Sequence, residues 1–226
     1  MRWLRMILDL LFPARCAGCS AAGVAWCALC ASSADGLFEV RRTALRGGVR
    51  AFAVTAYAGP ARRLVLAYKE RGRRELAAVF GLALAEAVPK VLARTADQAR
   101  AGPAARCWLV PAPSRWTAVR SRGGNHVEAA ARRAAGELRR RGVRAEVAPV
   151  LRLRGRVRDS VGLSGAGRAA NLHGRVHLRG TPPPQGEPTL LVDDVITTGA
   201  TAAACATTLH HAGVHTTAVL ALTATL

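Results

Sequence analysis

The chain has 226 residues, half of them hydrophobic, with 33 basic against 14 acidic side chains and a net charge of +19. That length and apolar content exclude a disordered tail and allow one domain of ordinary size with an appendage. The positive field favours polyanionic partners, either nucleic acid or phosphorylated small molecules. Every basic residue except Lys69 and Lys90 is arginine, whose planar fork suits phosphate better than an ammonium does. A GC-rich coding sequence produces the same arginine and alanine usage, so charge alone names no partner.

At the N-terminus, Trp3, Leu4, Ile7, Leu8 and Leu11 recur at helical spacing and predict a short amphipathic helix that Pro13 stops. Arg2 and Arg5 imitate the start of an export signal. Asp9, however, interrupts the apolar stretch, and no small-residue cleavage site follows. No uninterrupted apolar run reaches the roughly 18 residues of a membrane span. A cytoplasmic protein with no membrane span is the expectation.

Cys16, Cys19, Cys27 and Cys30 follow as C-x2-C-x7-C-x2-C. Each C-x2-C turn aims two thiolates at one point, and two such turns complete a tetrahedral site for structural Zn2+. The segment 14–32 holds little else that could form a core, so metal would supply its folding energy. The alternatives are disulfides, which require export, and a redox C-x-x-C, which needs only one pair. Cys107 and Cys205 sit among apolar residues and are expected to be buried free thiols.

Residues 33–48 carry Gly36, Gly47 and Gly48 and are expected to be a linker, which sets domain bounds of 1–48 and 49–226. A β-rich stretch at 49–59 comes next, and Pro60 opens a helix reaching Lys69. A second helical pattern covers 74–94, and small polar residues at 95–105 predict a loop. The segment 107–114 predicts a buried strand running into a proline turn. A helix over 124–141 and a strand near 145–153 come after it. The segment 180–188 cannot continue any regular element. It leads into a strand at 189–195, a helix at about 200–212 and a last strand at 214–223. Strands alternating with helices predict an α/β fold with a parallel sheet, whose ligands sit at the C-terminal strand ends.

At one such end the chain reads LLVDDVITTGAT, residues 190–201. An apolar strand delivers Asp193 and Asp194, and the turn Thr197, Thr198, Gly199, Ala200, Thr201 then opens a helix. Backbone N–H groups in such a turn close around a phosphate, Gly199 permits near approach, and the helix start favours the anion. The carboxylates then lie one ribose away, where they can accept from two hydroxyls or hold Mg2+ through water. A Walker B strand is excluded because neither lysine is preceded by glycine, as a P-loop requires. A capped strand–helix turn accounts for one acid or one threonine, but not for two and three at this spacing.

This turn resembles the ribose-phosphate loop of the type I phosphoribosyltransferases, and the resemblance implies their parallel sheet with flanking helices behind a small zinc knuckle. It also implies phosphoribosyl pyrophosphate (PRPP) with Mg2+ as ligand, Asp193 and Asp194 on the ribose diol, and residues 197–201 on the 5-phosphate. The family's pyrophosphate loop falls on Pro111, Ala112, Pro113, Ser114 and Arg115, a segment that otherwise reads as an ordinary proline turn.

The rest of the chain is similar to the ComF/GntX branch. The matching segments are LLFPARCAGC with CALC, YKERGRRE at 68–75, VPAP at 110–113, RGGNH at 122–126, and GLS at 162–164 with Arg168 and Asn171. The last two residues are expected to bind PRPP. Ser160 stands where the branch often has Gln, and Gly167 where it commonly has Glu. Arg152, Arg154, Arg156 and Arg158 alternate at period two and share one face of an extended chain. That face either covers a polyanion or is simply solvated.

Two functions follow from the resemblance. One is transfer of a phosphoribosyl group from PRPP to an unidentified acceptor. The other is an accessory role in DNA uptake during natural transformation, with the fold binding a ligand or single-stranded DNA without transferase activity.

Overall fold

The computed structural model describes residues 14–33, 36–45, 48–95, 106–114, 124–154 and 174–226, together with Trp3. Among the described residues the strands are β1 (Phe38–Glu39), β2 (Ala51–Ala56), β3 (Cys107–Pro111), β4 (Ala145–Val147), β5 (Leu151–Leu153), β6 (Val176–Leu178), β7 (Thr189–Ile196) and β8 (Ala218–Ala224). The α-helices are α1 (Ala28–Ser32), α2 (Gly59–Lys69), α3 (Ala77–Arg94), α4 (His126–Arg140) and α5 (Ala200–His211). Short 3-10 turns cover Thr43–Leu45 and Arg74–Leu76.

Six strands form one sheet in the order β1-β2-β8-β7-β3-β4. All neighbours are parallel except β1, which runs antiparallel to β2. The central strands β7 and β8 are buried on both faces along most of their length, which is why their sequences are near-continuous apolar runs. On one face, Phe52, Leu109, Leu190, Val192 and Leu220 pack against α2, α3 and α4. On the other, Val110, Leu191 and Val219 pack against Cys205 and Leu209 of α5, with Leu45 and Leu151 in the same cluster. Cys107 and Cys205 are buried free thiols, as expected.

Arg74–Arg94 is long and apolar enough to cross a membrane by length and composition. Its apolar side is covered here: Phe80, Leu84, Val88 and Val91 belong to the core shared with α4 and the sheet.

Two segments differ from the sequence expectation. The linker at 33–48 contributes β1 to the sheet, with Phe38 opposite Ala53. The strand expected near 145–153 is two strands in different sheets, because Pro149 offers no N–H and interrupts the ladder. β4 pairs with β3, whereas β5 pairs antiparallel with β6 as a separate two-stranded sheet. The N-terminal amphipathic stretch lies outside the described residues apart from Trp3, which is 81% exposed.

β3 and β7 lie side by side, with Pro111 opposite Val192. The Ala112 N–H donates to the Val192 carbonyl at 2.8 Å. The two segments singled out from the sequence, 111–114 and 193–201, therefore leave the sheet together at its C-terminal edge.

Candidate functional site

Consecutive residues of a strand point to opposite faces, and the end of β7 follows that rule. Asp194 faces α2 and α4. Its Oδ2 lies 2.6 Å from His126 Nε2 and 2.9 Å from Lys69 Nζ. The Asp194 side chain is 6% exposed, His126 10% and Lys69 37%. Burial alone would raise the Asp194 pKa. The hydrogen bond from His126 and the charge of Lys69 outweigh it and hold the carboxyl well below the usual range. Burial likewise opposes the Lys69 charge, but Asp194, then Asp193, raises that pKa above its ordinary value. His126 is fixed from behind by Tyr68. The Tyr68 hydroxyl donates to the His126 carbonyl at 2.6 Å, and its ring meets the imidazole edge-on.

Asp193 faces α5. Its carboxylate accepts from the Asp194 amide at 2.8 Å. Burial, and then the neighbouring Asp194 charge, pushes its pKa up to about 7. The acids adjoin in sequence, but only one of them is held by basic side chains.

The turn after β7 depends on Gly199, which adopts φ 79° and ψ 0° as the residue before α5. That left-handed conformation is open to glycine at little cost. Thr198 Oγ1 accepts from the Ala200 amide at 3.4 Å. The amides of Thr197, Thr198 and Gly199 donate to no backbone carbonyl among the described residues. Thr197 is exposed, Thr198 and Thr201 are half-buried, and Gly199 and Ala200 are buried.

The linker braces this turn from one side. Arg42 Nε donates to the Thr197 carbonyl at 2.6 Å, and a terminal nitrogen of the same guanidinium donates to the Thr225 carbonyl. A Cβ on Gly199 would come within 3.2 Å of both Leu45 and Arg42. Sequence reasoning assigned no role to Arg42 or Leu45.

The turn after β3 is tied to the start of α4. Ser114 Oγ donates to Asn125 Oδ1 at 2.8 Å, and Asn125 Nδ2 donates to the Ala112 carbonyl at 3.1 Å. Asn125 Oδ1 also caps α4 by accepting from the Val127 amide at 3.0 Å. Asn125 is thus the joint between the 111–114 turn and His126. Lys69 and His126 both belong to segments that resemble ComF/GntX motifs, but the sequence assigned neither one a role. Arg115, Arg156, Arg158, Ser160, Gly167, Arg168, Asn171 and the GLS segment lie outside the described residues.

The cysteines form a separate centre. The sulfurs of Cys16, Cys19, Cys27 and Cys30 all lie within 4.8 Å of one another, and those of Cys19 and Cys27 are 3.6 Å apart. Zinc bound tetrahedrally at about 2.3 Å from each sulfur needs them about 3.8 Å apart, so the four can hold a metal such as zinc. The amides of Gly18 and Cys27 donate to Cys16 Sγ, each at 3.4 Å. Burial works against a Cys16 thiolate, but these N–H groups bring its pKa down to about 6. Burial and then the neighbouring sulfurs raise that of Cys30, and bound metal would relieve that repulsion. Gly18 has no room for a side chain: a Cβ there would sit 2.6 Å from Cys30 Sγ and 2.7 Å from the Trp26 ring. Arg63 of α2 donates to the Gly18 carbonyl, and Trp26 packs on the core of α2 and α3.

Neither a scan against protein-family models nor a search of curated proteins finds a match for this chain.

Proposed function

We propose that this chain is a PRPP-binding protein of the phosphoribosyltransferase fold, of the ComF type. In this reading the 5-phosphate binds at residues 197–201, the ribose hydroxyls at the end of β7 and the diphosphate along 111–115. One observation carries it. Two turns leave adjacent parallel strands side by side, and one of them combines an acidic strand end, a left-handed glycine and a helix start. Amides uncommitted to other carbonyls at a helix start suit an anion, and a carboxylate about one ribose away suits hydroxyl donors.

In this reading the two acids take different roles. Asp194 is already held by Lys69 and His126, so Asp193 is the carboxylate that meets the sugar. One bond from the Asp194 amide leaves it further acceptor capacity. Mg2+ arriving with PRPP would neutralise diphosphate charge, and the half-buried Asp193 carboxylate fits an outer contact to it.

Transfer of the phosphoribosyl group breaks the bond between C1 and the diphosphate oxygen and forms one from C1 to the acceptor. Holding phosphate and hydroxyls in fixed places is the contribution expected of this chain, because positioning alone removes much of such a barrier. Residues 197–199 would fix the phosphate, Asp193 would orient the ring, and the 111–114 turn would receive the leaving group.

The net charge of +19 favours one second reading, an accessory protein that binds single-stranded DNA. Thermal shift separates the two. PRPP with Mg2+ should raise the melting temperature of the intact protein, and Asp193→Asn should reduce the shift. No shift with PRPP, together with DNA binding whose log–log salt slope is about −0.7 per phosphate contact, would select the second reading.

A further inference from the structure

We infer that Lys69 is the cation that meets the diphosphate of the bound ligand, and that Asp194 positions it rather than touching the ribose. The inference rests on the PRPP reading above.

The three side chains have unequal access to solvent. Asp194 and His126 are almost enclosed, whereas more than a third of the Lys69 side chain is exposed. Lys69 is therefore the least enclosed member of the group. Its Nζ lies 2.9 Å from Asp194 Oδ2. A compact ammonium can touch a carboxylate oxygen and a phosphate oxygen together, whereas a planar guanidinium prefers to engage one partner bidentately. Composition sharpens the point. Only two basic residues in the chain are lysines, so a lysine here is not what overall residue usage would supply.

The surroundings lead to the same ligand group. His126 follows Asn125, whose side chain is bonded to Ser114 and to the Ala112 carbonyl. The Lys69–Asp194–His126 group is thereby connected to the 111–114 turn, the proposed diphosphate side. Asp193 lies on the opposite face of β7, toward α5. On this account the Asp-Asp pair does two separate things: Asp193 faces the sugar, and Asp194 anchors a lysine and a histidine behind the leaving group.

Calorimetric titration of the full chain with three probes tests this: ribose 5-phosphate, pyrophosphate with Mg2+, and PRPP with Mg2+. Lys69→Gln should weaken pyrophosphate and PRPP binding about 10- to 100-fold, the range of one charge-assisted hydrogen bond. It should leave ribose 5-phosphate within about twofold, since no charge-assisted bond to that ligand is removed. Lys69→Arg keeps the charge and should fall between wild type and Lys69→Gln. Asp194→Asn should show the same selectivity, losing pyrophosphate while keeping ribose 5-phosphate. Wild-type pyrophosphate affinity in Lys69→Gln overturns the inference, as does an equal loss of ribose 5-phosphate. A wild-type protein that binds none of the three removes the PRPP reading itself, and the inference with it.

Discussion

The four cysteine sulfurs near the N-terminus and the two carboxylates at the end of β7 pose the same electrostatic problem and resolve it differently. In each place, groups that become anions are held close together and partly out of water, which is costly without a nearby positive charge. At β7 the chain supplies its own partners: the Lys69 ammonium and the His126 imidazole meet Asp194 from two different helices. Among the described residues the sulfurs receive hydrogen bonds from the Gly18 and Cys27 amides but from no lysine or arginine. The carboxylate cluster finds its counter-charge within the fold, and the sulfur cluster could hold a cation from outside. A strand end with its own counter-charge can stay folded unaided, whereas a cysteine knuckle of this size would depend on a metal.

The largest effect should come from taking the outside cation away. A strong chelator should unfold residues 14–33, since zinc binding in small zinc-folded peptides is worth about 10–16 kcal/mol. The sheet, with its apolar core on both faces, should persist. Hydrogen exchange resolved along the chain, with elemental analysis for one zinc per chain, measures both. A metal-free protein still protected at 14–33 would break the comparison.

Removing the inside counter-charge should cost less. Asp194→Asn should destabilise the protein by about 2 kcal/mol in urea unfolding. That is below the roughly 3–5 kcal/mol of a fully buried broken pair, because water reaches Lys69 and screens the interaction.

Gly199→Ala should cost about 1–2 kcal/mol from its left-handed backbone alone. It should also displace Leu45 or Arg42, each of which a new Cβ would approach to 3.2 Å. Phosphate affinity at the turn should fall in the same variant, while Cys205→Ala, buried further along α5, should leave it largely intact.

The pH dependence carries slopes of opposite sign for the two acids. The Asp194 pKa is lowered by folding, so its stabilising contribution is complete above the unfolded value near 4 and fades as pH drops below that. The Asp193 pKa is raised from 3.8 to about 7, so stability should decline as pH rises across that window. Denaturant midpoints measured from pH 3 to pH 8 should lose the upper slope in Asp193→Asn and the acid-side slope in Asp194→Asn.

Most of the α/β framework was legible because its elements are long and patterned. Residues 60–69, 74–94, 124–141 and 189–195 carry helical periodicity or a buried-strand run, and each is found within a few residues of where it was expected. β1 was not legible, because two residues show no period. The split between β4 and β5 was visible only as Pro149, and an alternating pattern on either side read as one strand. β6, three residues after a long segment without pattern, gave no signal.

The site divides in the same way. Asp193, Asp194 and 197–201 are contiguous, so their order can be read directly. Arg42 reaches Thr197 across 155 positions, and no local pattern reports such a contact. Lys69 and His126 lie in segments that resemblance had marked, yet only the fold brings them onto one oxygen of Asp194. The alternation rule already implied that adjacent acids on a strand part company, and applying it to the sequence would have separated their roles.

The most direct test of the central claim is a crystal structure of the intact protein grown with PRPP and Mg2+. The 5-phosphate should lie within hydrogen-bond distance, about 2.7–3.2 Å, of the Thr198 and Gly199 amides, with Asp193 on the ribose hydroxyls. Ligand density elsewhere on the protein, with the 197–201 turn unchanged, would contradict it.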